Sequence, residues 1–199
     1  MINLIDVSKQ IGTKTILSNI NYTFNEGECV AITGHNGCGK TMLLRMICGL
    51  ISPDTGEVKR TTNYKYGVII ENPSFFENET VLYNLKFLAG LNKKIGEAQI
   101  LEYLEKFSLL NMKNKKVKTL SLGMKQRLAL CQALMEEPDV ILLDEPFNAL
   151  DDENLHIACQ MIAECKKKGN IVVIAAHGTI PESCSVDKTI KMSDGKILN

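Results

Sequence analysis

A chain of 199 residues is long enough for one well-buried domain carrying an inserted subdomain, and too short for two independent ones. Its 23 Lys and Arg balance its 23 Asp and Glu, so no overall field draws it to nucleic acid or to an anionic membrane, and no nucleic-acid partner is expected. Seven cysteines without a CxxC pair read as reduced core residues of a cytoplasmic protein; the first residues show no leader pattern, and no apolar run reaches the ~20 residues of a membrane span, so direct membrane insertion is not expected.

Residues 1–30 alternate as strands do, in Ile2–Val7 and Ile20–Phe24, with turn signals at Gly12 and at Asn25-Glu26-Gly27, which predicts an antiparallel layer. The apolar run Cys29–Thr33 then enters Gly34-His35-Asn36-Gly37-Cys38-Gly39-Lys40-Thr41, a full match to the GxxxxGK[ST] phosphate-binding loop. Residues Met42 to Leu50 leave it with helical spacing. Strand, glycine loop and helix form the context the motif requires. The glycines let successive backbone N–H groups aim at phosphate oxygens, Lys40 reaches the β- and γ-phosphates, and the Thr41 hydroxyl ligates Mg²⁺. His35 and Cys38 occupy free positions of the motif and read as filler. A turn at Ser52–Gly56, a short strand at Glu57–Arg60 and a buried strand from Tyr66 to Ile70, ending at Glu71, follow.

From about Asn72 to Met135 the texture is helical. Val81, Leu82, Leu85 and Leu88 form one apolar stripe, and Ile100, Leu101, Leu104, Phe107 and Leu110 a second beyond the polar Asn92-Lys93-Lys94. Lys113–Lys118 reads as a solvated connector, and a third helix begins at Ser121 as its N-cap. The α/β texture returns with Val140–Leu143, a helix from about Asp151 to Lys168, a strand at Ile171–Ala175 ending near His177, and a hairpin between Lys188 and Ile197. The expected division is therefore an α/β core of residues 1–71 and 136–199 around a helical subdomain of residues 72–135. The fold class is α/β: a P-loop NTPase (RecA-like) core with an antiparallel β layer.

The apolar run Val140–Leu143 delivers Asp144 and Glu145 to the edge of a sheet, where α/β folds bind ligands. Asp144 is placed to hold Mg²⁺, and Glu145 to orient or deprotonate the attacking water. His177, ending the next strand, can reach the same edge, whereas His156 lies on a polar helix face. Leu120-Ser121-Leu122-Gly123-Met124-Lys125-Gln126-Arg127 supplies a second anion site, a serine-capped helix N-terminus. Two phosphate sites in one chain point to two chains sharing each nucleotide.

Together these residues resemble the ATP-binding subunits of ABC transporters. The likeness spans the chain in order: the P-loop, Glu71-Asn72-Pro73 at the Q-loop position, Leu120–Arg127 as signature, Val140–Glu145 as Walker B, Asn148–Asp151 as D-loop and His177 as switch histidine. The resemblance implies ATP and Mg²⁺ as cofactors, and Lys40, Glu71, Glu145 and His177 as catalytic residues. Thr41, Asp144 and Glu71 would ligate the metal. Gly34 through Met42 and Ile11 would bind the nucleotide, completed by Ser121 and Gly123 from a homodimeric or heterodimeric partner. It implies a separate membrane permease, which would hold the chain on the inner face of the cell membrane.

Leu122 and Met124 stand where the commonest signature has glycine and glutamine, and Glu71 replaces the usual glutamine. The signature departures resemble the bacitracin-export and lantibiotic-immunity branch, and Glu71 the lantibiotic-immunity ATPases, which implies a peptide antibiotic or other drug as cargo. Glu71 adds negative charge near the γ-phosphate, and Ile11 takes the place of an aromatic that stacks on adenine. Pro73, Phe75, Phe76 and Tyr83 are candidates for the permease docking cleft, and a contiguous exposed apolar patch would favour docking over core packing. Two alternatives stay open at this point: a soluble ABC protein of translation or repair, and a regulatory module with little turnover.

Overall fold

The structure, a computed structural model, describes residues 1–71, 74–92 and 95–198, and of Asn92 only the backbone. Asn72, Pro73, Lys93 and Lys94, singled out above, lie outside the described residues. The strands in chain order are β1 (Ile2–Ile11), β2 (Lys14–Phe24), β3 (Cys29–Thr33), β4 (Thr55–Arg60), β5 (Tyr66–Ile69), β6 (Val140–Asp144), β7 (Ile171–Ala176), β8 (Lys188–Ser193) and β9 (Lys196–Leu198). The helices are α1 (Lys40–Ile47), α2 (Val81–Asn92), α3 (Glu97–Lys106), α4 (Leu122–Leu134) and α5 (Asp152–Lys167).

Two sheets result. An antiparallel layer has the order β2-β1-β4 and a six-stranded sheet the order β5-β6-β7-β3-β8-β9, parallel except for the hairpin strand β9. The central strands β3, β6 and β7 are apolar up to their last residues, Thr33 and Asp144 in the first two, because both faces of the sheet are covered. β6 shows the consequence residue by residue. Val140 and Leu142 join a cluster with Leu43 and Ile47 of α1 and with Ile2, Leu4 and Phe24 of the antiparallel layer. Ile141 and Leu143 join Leu85, Leu104, Leu128 and Ile162 on the opposite face. The helical block therefore shares one core with the sheet and with α5.

Helix α1 stops at Ile47, short of the expected Leu50. Gly49, at φ 80°, turns the chain out of the helix and leaves Leu50 exposed. The lysine-rich connector differs more. The carbonyls of Lys113 and Lys115 accept the N–H groups of Leu82 and Val81, and Val117 is buried. A helix start needs acceptors for its first N–H groups, and at α2 this stretch of chain provides them. The cysteine reading also needs correction. Cys159 of α5 and Cys184 are joined in a disulfide, with Cα atoms 4.3 Å apart. The 3₁₀ turn Glu182–Cys184 packs on α5, a proximity that a separation of 25 residues hides in the sequence. The other five cysteines are free.

Candidate functional site

Parallel register brings the chemistry to one edge. Thr33 pairs with Ala176 and Asp144 with Ala175, so the phosphate loop after β3, the acidic pair at β6 and His177 after β7 emerge side by side. The loop itself is closely fitted: a Cβ on Gly34 would lie 2.3 Å from the Met192 carbonyl oxygen. Gly39, left-handed at φ 110°, leads into α1 without a side-chain cap, which leaves the first N–H groups of the helix for an anion. Lys40 is almost wholly buried and its ammonium donates to the carbonyls of Gly34 (2.7 Å) and His35 (3.2 Å). His35 is exposed and Cys38 buried in the apolar cluster.

Asn36, Gly37, Gly39, Lys40, Thr41 and Met42 line a cleft of about 430 Å³, faced by Glu71, Asp144 and Glu145. The Thr41 hydroxyl donates to Asp144 at 2.5 Å. Burial pushes the Asp144 carboxyl above its ordinary range, the Thr41 bond pulls it down, and the charge of Glu145 adds to the rise. Glu145 Oε1 lies 2.9 Å from His177 Nδ1. Glu71 and Glu145 both take the left-handed backbone conformation, at φ 62° and 48°, at an energetic cost on the order of 1 kcal/mol each. Such backbone strain occurs where a side chain is aimed against local preference.

The hydroxyl of Thr41 and the carboxylate of Asp144 form a hard oxygen pair suited to Mg²⁺, which keeps several water and phosphate ligands of its own. Glu71, expected as a further ligand, is instead paired with Arg45 of α1 at 2.5 Å.

Ile11 does not line the cleft. It ends β1 at the Gly12 turn, 55% exposed, while Lys14 and Ile16 of β2 line the cleft in its stead. Leu17 of the same strand turns inward. Ser121 and Gly123 are also absent from this cleft. Ser121 caps α4 by accepting the N–H of Met124 at 3.2 Å, and the neighbouring Leu122 is 68% exposed. A larger cavity of about 590 Å³ lies between β3 and the segment Gly178–Asp187, and none of the phosphate-loop residues lines it. Phe75 packs on the core, but Phe76, Tyr83 and Phe87 form a contiguous exposed aromatic patch, with Phe76 and Phe87 centroids 4.9 Å apart. Phe87 was missed, although its spacing of four from Tyr83 is a helical-face signal.

The parallel sheet, the glycine loop running into α1 and the acidic pair at the end of β6 define a P-loop nucleoside triphosphatase. The model of the ABC transporter family matches residues 17–148, and the chain belongs to that family. The chain is 36% identical over 206 residues to the ABC transporter ATP-binding protein YybJ of Bacillus subtilis (strain 168), covering 99% of this chain and 94% of that protein. It is 33% identical over 184 residues to the lantibiotic transport ATP-binding protein SrtF of Streptococcus pyogenes, covering 89% and 80%. The dimeric structure of MJ0796, a bacterial ABC transporter cassette, superposes with a TM-score of 0.88 at 28% identity, covering 100% of this chain and 97% of that one. The protein is an ABC transporter ATP-binding subunit, and its activity is that of an ATPase.

Proposed function

We infer that the chain hydrolyses MgATP between two ATPase subunits and thereby drives a separate membrane permease that moves a peptide antibiotic or a related drug. The observation that carries the reading is the adjacency, at one strand end, of the Thr41–Asp144 bond and the Glu145–His177 contact. Lys40 and the free N–H groups of α1 bind the phosphates, helped by Asn36, Gly37, Gly39 and Met42. Thr41 and Asp144 hold Mg²⁺, with Glu71 nearby. The chemistry Mg²⁺ supplies there is neutralisation of the β- and γ-phosphate charge. Glu145 takes the proton of the attacking water or orients it, and His177 fixes that carboxylate. With Nδ1 turned to Glu145, Nε2 is the nitrogen left to face the γ-phosphate.

Ser121 and Gly123 complete the site of a second subunit, a reading supported by the exposed, serine-capped start of α4. The γ-phosphate then supplies differential affinity for the closed pair, and its loss removes that affinity. Residues 72–135 act as the helical subdomain and residues 1–71 and 136–199 as the core. Phe76, Tyr83 and Phe87 receive the permease, which places the chain at the inner face of the membrane; no described helix is long and apolar enough to cross one. The kinship with SrtF, with Leu122, Met124 and Glu71, supports the choice of cargo.

Light scattering of Glu145→Gln with and without MgATP tests this reading. ATP-dependent dimers that Ser121→Arg abolishes are the expected result. A persistent monomer with ATP demonstrably bound overturns the shared site.

A further inference from the structure

Arg45 and Thr41 stand four residues apart on α1 and so share one face of the helix, the face that lines the cleft. The Arg45 guanidinium reaches across to Glu71 at 2.5 Å, tying the first helix to the chain two residues beyond the end of β5. Glu71 also faces a second cavity, of about 310 Å³, together with Gln126 and Asn148, so its carboxylate stands at the wall between the two. Three carboxylates, Glu71, Asp144 and Glu145, line the space into which a triphosphate must come, and the two lysines of the same lining, Lys14 and Lys40, leave one of them for Arg45 to answer. An unpaired Glu71, whose side chain is largely exposed, would still add like charge to the wall that the phosphates must face.

We propose that Arg45 is a positioning residue for Glu71: it neutralises and holds that carboxylate, so that a glutamate at this place is compatible with binding a nucleoside triphosphate. The inference rests on the nucleotide site proposed above. It makes Arg45 act through Glu71 and not on the phosphates directly. An arginine serving only the fold would matter equally whatever stands at position 71.

The test is equilibrium binding of a fluorescent ATP analogue in EDTA, so that no metal masks the charge balance, alongside thermal melting of each variant. Arg45→Gln is expected to weaken binding roughly tenfold, the effect of one uncompensated charge at this range. Arg45→Lys, which keeps the charge, is expected to bind within about threefold of the parent. Arg45→Gln in a Glu71→Gln background is expected to recover the parent's affinity, because the charge it answered has gone. Equal loss of affinity in both backgrounds, or a fall in melting temperature with affinity unchanged, overturns the proposal. Lys40→Ala is the separate control. If it binds the analogue as well as the parent, the nucleotide site itself is misplaced, a failure distinct from that of Arg45.

Discussion

Gln126 Nε2 donates to the carbonyl oxygen of Pro146 at 3.0 Å, so the helix that begins at Ser121 is tied to the turn that presents Glu145. A weaker contact of 3.5 Å reaches the Glu145 carbonyl itself. Replacing Gln126 with leucine keeps the volume and removes both. The expected outcome is a fall of roughly tenfold in kcat, with KM for ATP nearly unchanged, the cost of about one lost hydrogen bond at a positioned turn. Steady-state kinetics over a range of ATP concentrations separates this from a binding defect.

Two helical glycines should respond in opposite directions to the same change. A Cβ on Gly123 would lie 2.6 Å from the Ala149 carbonyl oxygen, whereas Gly90 in α2 has open space around it. Gly123→Ala is expected to cost about 1–3 kcal/mol through displaced backbone, and Gly90→Ala to add about 0.5–1 kcal/mol through helix propensity. Urea midpoints of the two variants decide the matter.

Acid sensitivity is expected from Glu28, whose carboxylate pairs with Lys188 at 2.5 Å and accepts the backbone N–H of Asn25. Burial works against the charged form, but the Lys188 and Asn25 bonds prevail and hold the carboxyl below its usual value. Between that lowered value and the ordinary one the unfolded chain binds more protons than the folded one, so stability falls as pH drops through this window. Glu28→Gln is expected to lose about 1 kcal/mol at neutral pH, as a half-exposed ion pair loses, and to show a shallower decline in acid. Denaturant melts at pH 7 and pH 4 compare the two slopes.

The Cys159–Cys184 link closes a loop of 25 residues, and constraining the unfolded chain to this extent stabilises the fold by about 3 kcal/mol. A reductant should lower the urea midpoint of the parent accordingly and leave Cys159→Ser unmoved. Identical midpoints with and without reductant would show that the pair carries no such stabilisation.

Much of the fold was legible because its signals are local. The run Cys29–Thr33 ends at a glycine and Val140–Leu143 at a carboxylate, so their bounds were fixed by neighbours in sequence. The ties between distant segments were not legible. Arg45 and Glu71 are 26 residues apart, and nothing in either stretch names the other. The connector from Lys113 to Lys118 looked solvated because lysine side chains advertise solvent, while its backbone carbonyls, which composition cannot reveal, were the groups in use. Ile11 was chosen by resemblance at one position, and the part that Lys14 and Ile16 of the next strand take in lining the cleft had no such signal.

The alternation along β6 has a kinetic meaning. Because successive side chains of this strand serve opposite clusters, neither layer can peel away without exposing half of it. Its amides should therefore exchange with deuterium only through global opening, more slowly than those of the exposed strand β4, and keep the clock for the unfolding of the whole chain.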